Sequence, residues 1–293
     1  MSEPFLAVDV GGSSVKSAVV VDGEVTQFSN EPVAAGLDGL VAQLGRLYGG
    51  SGLAWGVCLP GLIDARTGTV QYSANLGLRD VAFLDELEAA LPRPLVFEND
   101  LVAATLGEAA GGTLTLLQLG TGIAARCAVE GAVPASAGGR AGEIGHLRFR
   151  DDGLPCACGR NGCVEVYAGW GGIRRRYEEA GREIASPADM LHDAATDPWA
   201  RRLLDDALEA IGFAAAALVI AWDPGTLRLG GGVAAAWGKT LRVTVREALA
   251  QRLLPELAAA TLVEGARLGD RAALLGLYRL ARTTSSARIP SAR

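Results

Sequence analysis

The sequence predicts an α/β protein of two lobes, and three observations carry that expectation. Short apolar runs of strand type alternate with stretches of helical periodicity. A strand–glycine loop–strand unit opens the chain (FLAVDVGGSSVKSAVVVDGEV, residues 5–25), and residues 114–133 (LTLLQLGTGIAARCAVEGAV) echo it as a weak internal repeat. The chain has 293 residues, 49% of them hydrophobic, enough for two cores.

The elements follow in order. Residues 5–10 are a short apolar strand, Gly11–Ser14 break it, and residues 15–21 form a second strand. Asp22-Gly23 is a hairpin signal, with EVTQF (residues 24–28) as the returning strand. Leu37, Leu40, Val41, Leu44 and Leu47 recur at helical spacing and predict a helix over 37–48. Residues 53–61 read as a buried strand ending in Pro-Gly. Residues 81–91 read as a helix stopped by Pro92 and Pro94. LVFEND (95–100) is a strand that runs into a helix, and the lobe boundary is expected near Glu108–Gly112. After the cysteine-rich stretch the chain reads as mainly helical, with a long helix over 199–222. A strand into a glycine turn (226–233) and two more helices follow. TTSSARIPSAR, residues 283–293, has the composition of a disordered tail.

Composition narrows the class. Twenty-seven basic against 33 acidic residues give a net charge of −6, which disfavours a surface built for nucleic acid. No basic start with a following apolar run marks a signal peptide, and the longest apolar stretch, Phe213–Trp222, is too short to span a bilayer. Five cysteines, three of them within eight residues, suit a reduced compartment and a metal better than a disulfide framework. The expectation is a cytoplasmic enzyme.

Four motifs carry chemistry. Asp9-Val-Gly-Gly-Ser-Ser-Val-Lys16 joins a strand-end carboxylate to glycines, hydroxyls and a lysine. Backbone amides at Gly11, Gly12 and Ser13 can approach a phosphate, Lys16 adds charge, and Asp9 can orient a hydrated Mg²⁺. A tight hairpin with a surface lysine is the competing account. Gly120-Thr121-Gly122 occupies the corresponding turn of the second half, so the two loops together suit a polyphosphate, although each by itself reads equally as a hairpin turn. Gly230-Gly231-Gly232 follows a strand and permits close approach of a nucleotide base or sugar. Glu98-Asn99-Asp100 ends a strand at the start of a helix, where a carboxylate can accept a proton from an attacking hydroxyl. A helix cap is the commoner role at that position.

The stretch AGEIGHLRFRDDGLPCACGRNGC (141–163) is the most specific. His146, Cys156, Cys158 and Cys163 supply one imidazole and three thiolates, a closed set for structural Zn²⁺. Gly153, Gly159 and Gly162 supply tight turns, and three free cysteines in a loop is the weaker account. Cys58 and Cys127 lie in strand patterns and read as core residues. His192 reads as a surface residue in a helix.

Taken together these motifs resemble the ROK family (repressors, open reading frames, kinases) of the sugar kinase/actin-like ATPase superfamily, over nearly the whole chain. Ala141–His146 with Cys156–Glu165 is similar to its sugar-and-zinc signature, Asp9-Val-Gly-Gly and Gly120-Thr-Gly to its two phosphate loops, Glu98–Asp100 to its catalytic motif, and Leu229-Gly-Gly-Gly to its adenosine motif. The resemblance implies two α/β lobes of ribonuclease-H-like (actin-like ATPase) type with an interlobe cleft. The small lobe would span residues 1–110 and the large lobe 111–269, with a C-terminal helix near 270–282 returning to the first. It implies a cytoplasmic, homodimeric, ATP- and Mg²⁺-dependent hexose kinase acting on the sugar 6-hydroxyl, with Asp100 as base. Asn75, Asn99, Glu143, His146 and Glu165 would join Asp100 in holding the sugar; Gly231 and Gly232 would join the phosphate loops in holding ATP. Structural Zn²⁺ on His146 and the three cysteines would then preorganise the loop bearing Glu143.

The sequence departs from that family in places. Ala124-Ala125-Arg126 follows the second loop where glycines are usual, and Ser13 replaces the common threonine. Asn75 lacks its usual preceding proline, and Gly77–Asp80 stand where a tryptophan is common. Glucose is the default substrate; kanosamine, N-acetylglucosamine and N-acetylmannosamine are the amino-sugar alternatives. A non-catalytic sugar sensor and a polyphosphate donor are further alternatives. A repressor would need a DNA-binding domain before the first phosphate loop, and only eight residues precede Asp9.

Overall fold

The computed structural model describes residues 3–134, 136 and 139–287. The chain divides into two compact units. Unit 1 comprises residues 1–111, 131–140 and 270–293; unit 2 comprises 112–130 and 141–269.

Unit 1 opens with β1 (Phe5–Val10), β2 (Ser14–Val21) and β3 (Glu24–Pro32), an antiparallel meander. Asp22 and Gly23 take φ of 51° and 83°, the left-handed pair a two-residue hairpin demands. The third strand extends four residues beyond the expected EVTQF, because Glu31 and Pro32 keep pairing with Val15 and Ser14. Next come α1 (Gly36–Tyr48) and β4 (Ala54–Leu59), the latter parallel to β1. The helix buries Leu40, Leu44 and Tyr48, one face at its period, against Trp55 and Val57 of the sheet.

The sequence reading differs from the structure after Pro60. Residues 62–81 hold a separate three-stranded sheet, β5 (Leu62–Asp64), β6 (Thr69–Ser73) and β7 (Leu78–Val81). Val81 therefore belongs to a strand, and α2 spans only Phe83–Glu88 of the helix expected over 81–91. These strands are three to five residues long, too short for alternation to register. β8 (Val96–Asn99) completes the main sheet in the order β3-β2-β1-β4-β8, and α3 (Asp100–Ala109) follows it directly.

The chain then enters unit 2 with β9 (Leu114–Leu119) and β10 (Ile123–Ala128). Beyond the cysteine-rich loop come α4 (Val164–Ala168), α5 (Trp170–Glu179), α6 (Pro187–Thr196), α7 (Pro198–Trp222), β11 (Thr226–Gly230), α8 (Gly231–Arg252), α9 (Pro255–Ala260) and β12 (Leu262–Gly265). The sheet runs β10-β9-β11-β12. Leu117, Leu119, Leu227, Leu229 and Val263 point from it into a core shared with α4 to α8. The expected glycine turn after β11 is instead the start of α8, which kinks at Gly238. His192 is exposed on α6, and Cys58 and Cys127 are buried in strands.

α10 (Ala272–Ala287) belongs to unit 1 and lies against α3 and β1. The helix corrects the expected tail, since residues 283–287 continue it; residues 288–293 lie outside the described residues. The α3–α10 contact is backbone to backbone. A Cβ on Gly276 would sit 1.7 Å from the Ala103 carbonyl oxygen, and one on Gly107 1.9 Å from that of Ala272. Arg279 of α10 donates to the carbonyls of Leu106 and Gly107 at the far end of α3. Gly276→Ala must push the two helices apart, and urea unfolding is expected to show a loss of about 1–3 kcal/mol.

Candidate active-site residues in each unit

Five strands of unit 1 align one polar row. Asn30, Lys16, Asp9, Cys58 and Glu98 are successive register partners across β3, β2, β1, β4 and β8. Partners in register share a sheet face, so Asp9 and Cys58, 49 positions apart in the chain, become neighbours. Asp9 is 14% exposed at its side chain, with Lys16 Nζ 3.9 Å from Oδ2. Cys58 donates its thiol hydrogen to Asp9 Oδ1 at 3.5 Å, so this cysteine is more than core filling. Burial raises the Asp9 carboxyl above its ordinary range, against the pull of Lys16 and the Cys58 thiol. Burial and then the Asp9 charge push the Cys58 thiol well up, which keeps it a donor.

The loop after β1 is a tight turn, with Gly11 N–H donating to Ser14 O at 2.8 Å. Gly12 and Ser13 are exposed. Asn75, also exposed, lies on the turn between β6 and β7 and packs against Gly12, where a Cβ would stand 2.8 Å from its own.

Asn99 and Asp100 sit where β8 becomes α3. Asn99 is 8% exposed and is the N-cap: its Oδ1 accepts from Leu101 and Val102 N–H at 3.0 and 3.1 Å. Its Nδ2 donates to Gly61 O at 2.9 Å. Asp100, half-buried in the first turn, accepts the Leu101 N–H on Oδ1 at 2.8 Å. The cap reading therefore holds for Asn99 and leaves the neighbouring carboxylate in the first turn.

In unit 2 the Gly120–Gly122 turn is held from both sides. Gly120 N–H donates to Gly122 O, while Gly120 O and Thr121 O accept from Trp170 and Gly171 N–H at 2.9 Å each. Glu165 of α4 reaches over the turn and accepts the Ile123 N–H on Oε2 at 3.0 Å. The same oxygen lies 2.5 Å from where a Gly122 Cβ would be and 3.2 Å from a Gly145 Cβ. One carboxylate thus ties the glycine turn to the loop that carries Glu143 and His146. Glu143 is exposed, and its carbonyl accepts the His146 N–H. Gly231 and Gly232 open α8, with Gly231 against the Leu119 carbonyl. Ala124, Ala125 and Arg126 lie in β10 rather than in the turn; Ala125 and Arg126 are buried, and Arg126 donates to its neighbour's carbonyl.

The side chains of His146, Cys156, Cys158 and Cys163 converge, with one donor atom from each within 4.8 Å of all the others. Cys158 and Cys163 sulfurs are 3.6 Å apart, and Cys156 Sγ lies 3.7 Å from His146 Nδ1. A tetrahedral ion about 2.3 Å from sulfur sets donor–donor edges of about 3.8 Å, so the donor set fits one. Burial, then hydrogen bonding with Cys158, pushes Cys163 up to about 12, while the Arg160 N–H lowers Cys158. The loop has a second anchor in Tyr167, whose hydroxyl accepts the Leu154 N–H at 2.9 Å and whose ring packs edge-on against Phe149.

Sequence reasoning missed Gly145 and Asp270. Asp270 Oδ1 lies 2.9 Å from Lys16 Nζ, a pairing with no local signal because 254 positions separate the two. Gly122→Ala is expected to displace Glu165 from the Ile123 N–H and lower stability by about 1–3 kcal/mol. Gly120→Ala, whose Cβ meets nothing closer than 4.0 Å, is the matched control for the denaturant titration and should unfold like the parent.

Residues 5–284 match the model of the ROK family. The chain is 30% identical to a glucokinase of Halalkalibacterium halodurans, covering 93% of each. It is 28% identical to an N-acetylmannosamine kinase of Pasteurella multocida, over 92% of this chain and 94% of that one. Among solved structures it is similar to a ROK family glucokinase from Streptomyces griseus in complex with glucose and AMPPNP. That structure gives a TM-score of 0.78 at 26% identity, covering 96% of this chain and 99% of the other.

Proposed function

This chain belongs to the ROK family and is a sugar kinase with the actin-like ATPase fold, and from that premise we propose that it transfers the γ-phosphoryl group of ATP to the 6-hydroxyl of a hexose, glucose by default. The observation that carries the reading is Asp100 in the first turn of α3, in the unit whose sheet also pairs Asp9 with Lys16. Asp100 takes the hydroxyl proton as the sugar oxygen bonds to the γ-phosphorus and the bond to the ADP oxygen breaks. The products are a sugar 6-phosphate and ADP.

The remaining residues position and stabilise charge. In unit 1 the phosphate contacts are Lys16 and the amides of Gly12 and Ser13, with the Gly11 N–H spent on shaping the turn; in unit 2 they are the amides of Thr121 and Gly122, with the Gly120 N–H spent likewise. Gly231 and Gly232 bring backbone to the nucleoside. Asp9 would orient hydrated Mg²⁺, which when bound would neutralise phosphate charge. Asn75, Asn99, Glu143, His146 and Glu165 hold ring hydroxyls. Asn99 serves there only as a donor, since its oxygen caps α3. His146, Cys156, Cys158 and Cys163 would hold Zn²⁺, which would supply no reaction chemistry and would fix the turn that presents Glu143. The burial of Ala125 and Arg126 in β10 favours catalysis over a sensor, because they do not crowd the glycine turn. We infer a cytoplasmic homodimer from the family; no described helix is long and apolar enough to cross a membrane.

A second reading, an amino-sugar kinase, is favoured by the N-acetylmannosamine kinase relative.

Phosphorylation should be screened with ATP across glucose, mannose, fructose, kanosamine and the N-acetylhexosamines. Turnover is expected on glucose, and Asp100→Asn should lower it by about 10²–10⁴-fold. ATP binding without turnover on any sugar would sink the kinase reading in favour of a sensor. Metal analysis of the purified chain is expected to give one zinc per chain, lost in Cys163→Ser.

A further inference from the structure

Lys16 has two carboxylates within reach, and they differ in kind. Asp9 is its register partner on the neighbouring strand, largely buried, with 3.9 Å between the charges. Asp270 is 62% exposed, comes from the far end of the chain, and forms the direct hydrogen-bonded pair at 2.9 Å. A separation of 3.9 Å is too long for a hydrogen bond, so the lysine leans to Asp270 and away from Asp9. Burial by itself would weaken the lysine's hold on its proton; the Asp270 hydrogen bond and Asp9 charge more than offset it.

Asp270 is also rigidly placed. It stands two residues before Ala272, whose carbonyl meets Gly107 of α3 with no room for a methyl group. Arg279 ties the next turns of the same helix to the end of α3. The helix pair that begins with Asp100 therefore also fixes where Asp270 stands.

We propose that Asp270 is a positioning residue for nucleotide binding, acting through Lys16: it draws the ammonium off Asp9, which leaves Asp9 an oxygen for a hydrated cation and keeps Lys16 extended for phosphate. The inference rests on the reading of Asp9 and Lys16 as nucleotide contacts. Without Asp270, the cross-strand geometry leaves Asp9 as the nearer attraction, and lysine and carboxylate neutralise each other. A role confined to starting α10 would be served as well by asparagine as by aspartate.

The test is a double-mutant cycle on the full chain, with Lys16→Met, Asp270→Asn and the double variant, read by calorimetric titration with MgATP and by steady-state kinetics. Asp270→Asn is expected to weaken MgATP binding by about fivefold, the ceiling for an exposed ion pair. The sugar KM should stay as in the parent, Asp270→Glu should restore binding, and the double variant should bind no worse than Lys16→Met alone. Full additivity of the two losses, or an Asp270→Asn that binds MgATP like the parent while Lys16→Met is weakened, would overturn the proposal and leave the kinase reading standing. If Lys16→Met itself binds MgATP unchanged, the reading of Lys16 as a nucleotide contact falls, and the role of Asp270 with it.

Discussion

The close crossing of α3 and α10 is the constraint on which unit 1 depends. Two glycines, Gly107 and Gly276, let backbone meet backbone where any side chain would collide with a carbonyl oxygen. Close packing of this kind has few alternative arrangements, because rigid backbone cannot yield as a flexible side chain can. The consequences reach both ends of the helix pair. α3 starts with Asp100, capped by Asn99, and α10 starts just after Asp270, which holds Lys16. A close backbone contact, with Arg279 bonded across it, thus sets the spacing between a carboxylate and a lysine that share no sequence neighbourhood.

Unit 2 solves a similar problem with a charge. Glu165 has one oxygen on the Ile123 N–H, at the exit of the glycine turn, and stands against Gly145 in the neighbouring loop. A carboxylate bonded to a backbone N–H is stronger and more directional than a neutral contact. The loop is then held a second time by Tyr167 and Phe149 packing, and a third time by the convergence of His146 with three cysteines. The cysteine–histidine cluster therefore closes a loop whose path hydrogen bonds and aromatic contacts already direct.

Much of this was legible in the residue order, for reasons that differ by element. The hairpin at Asp22-Gly23 and the helix over 37–48 were readable because turn chemistry and helical period are local. The four candidate metal ligands were readable because thiols so closely spaced have few other uses. The small sheet over 62–81 was not, since strands of three to five residues carry no measurable period. The C-terminal residues 283–287 misled by composition: threonine and serine there continue a helix begun by packing against α3.

The sequence by itself determined the α/β pattern, the glycine turns after β1 and β9 and the cysteine–histidine set that converges, because each is written in spacing along a short stretch. Only the tertiary structure decided that Cys58 donates to Asp9 and that Asp270 captures Lys16. Those are contacts between residues brought together by strand register and helix crossing. Register and crossing follow from how whole surfaces fit, a property that no local stretch of sequence contains.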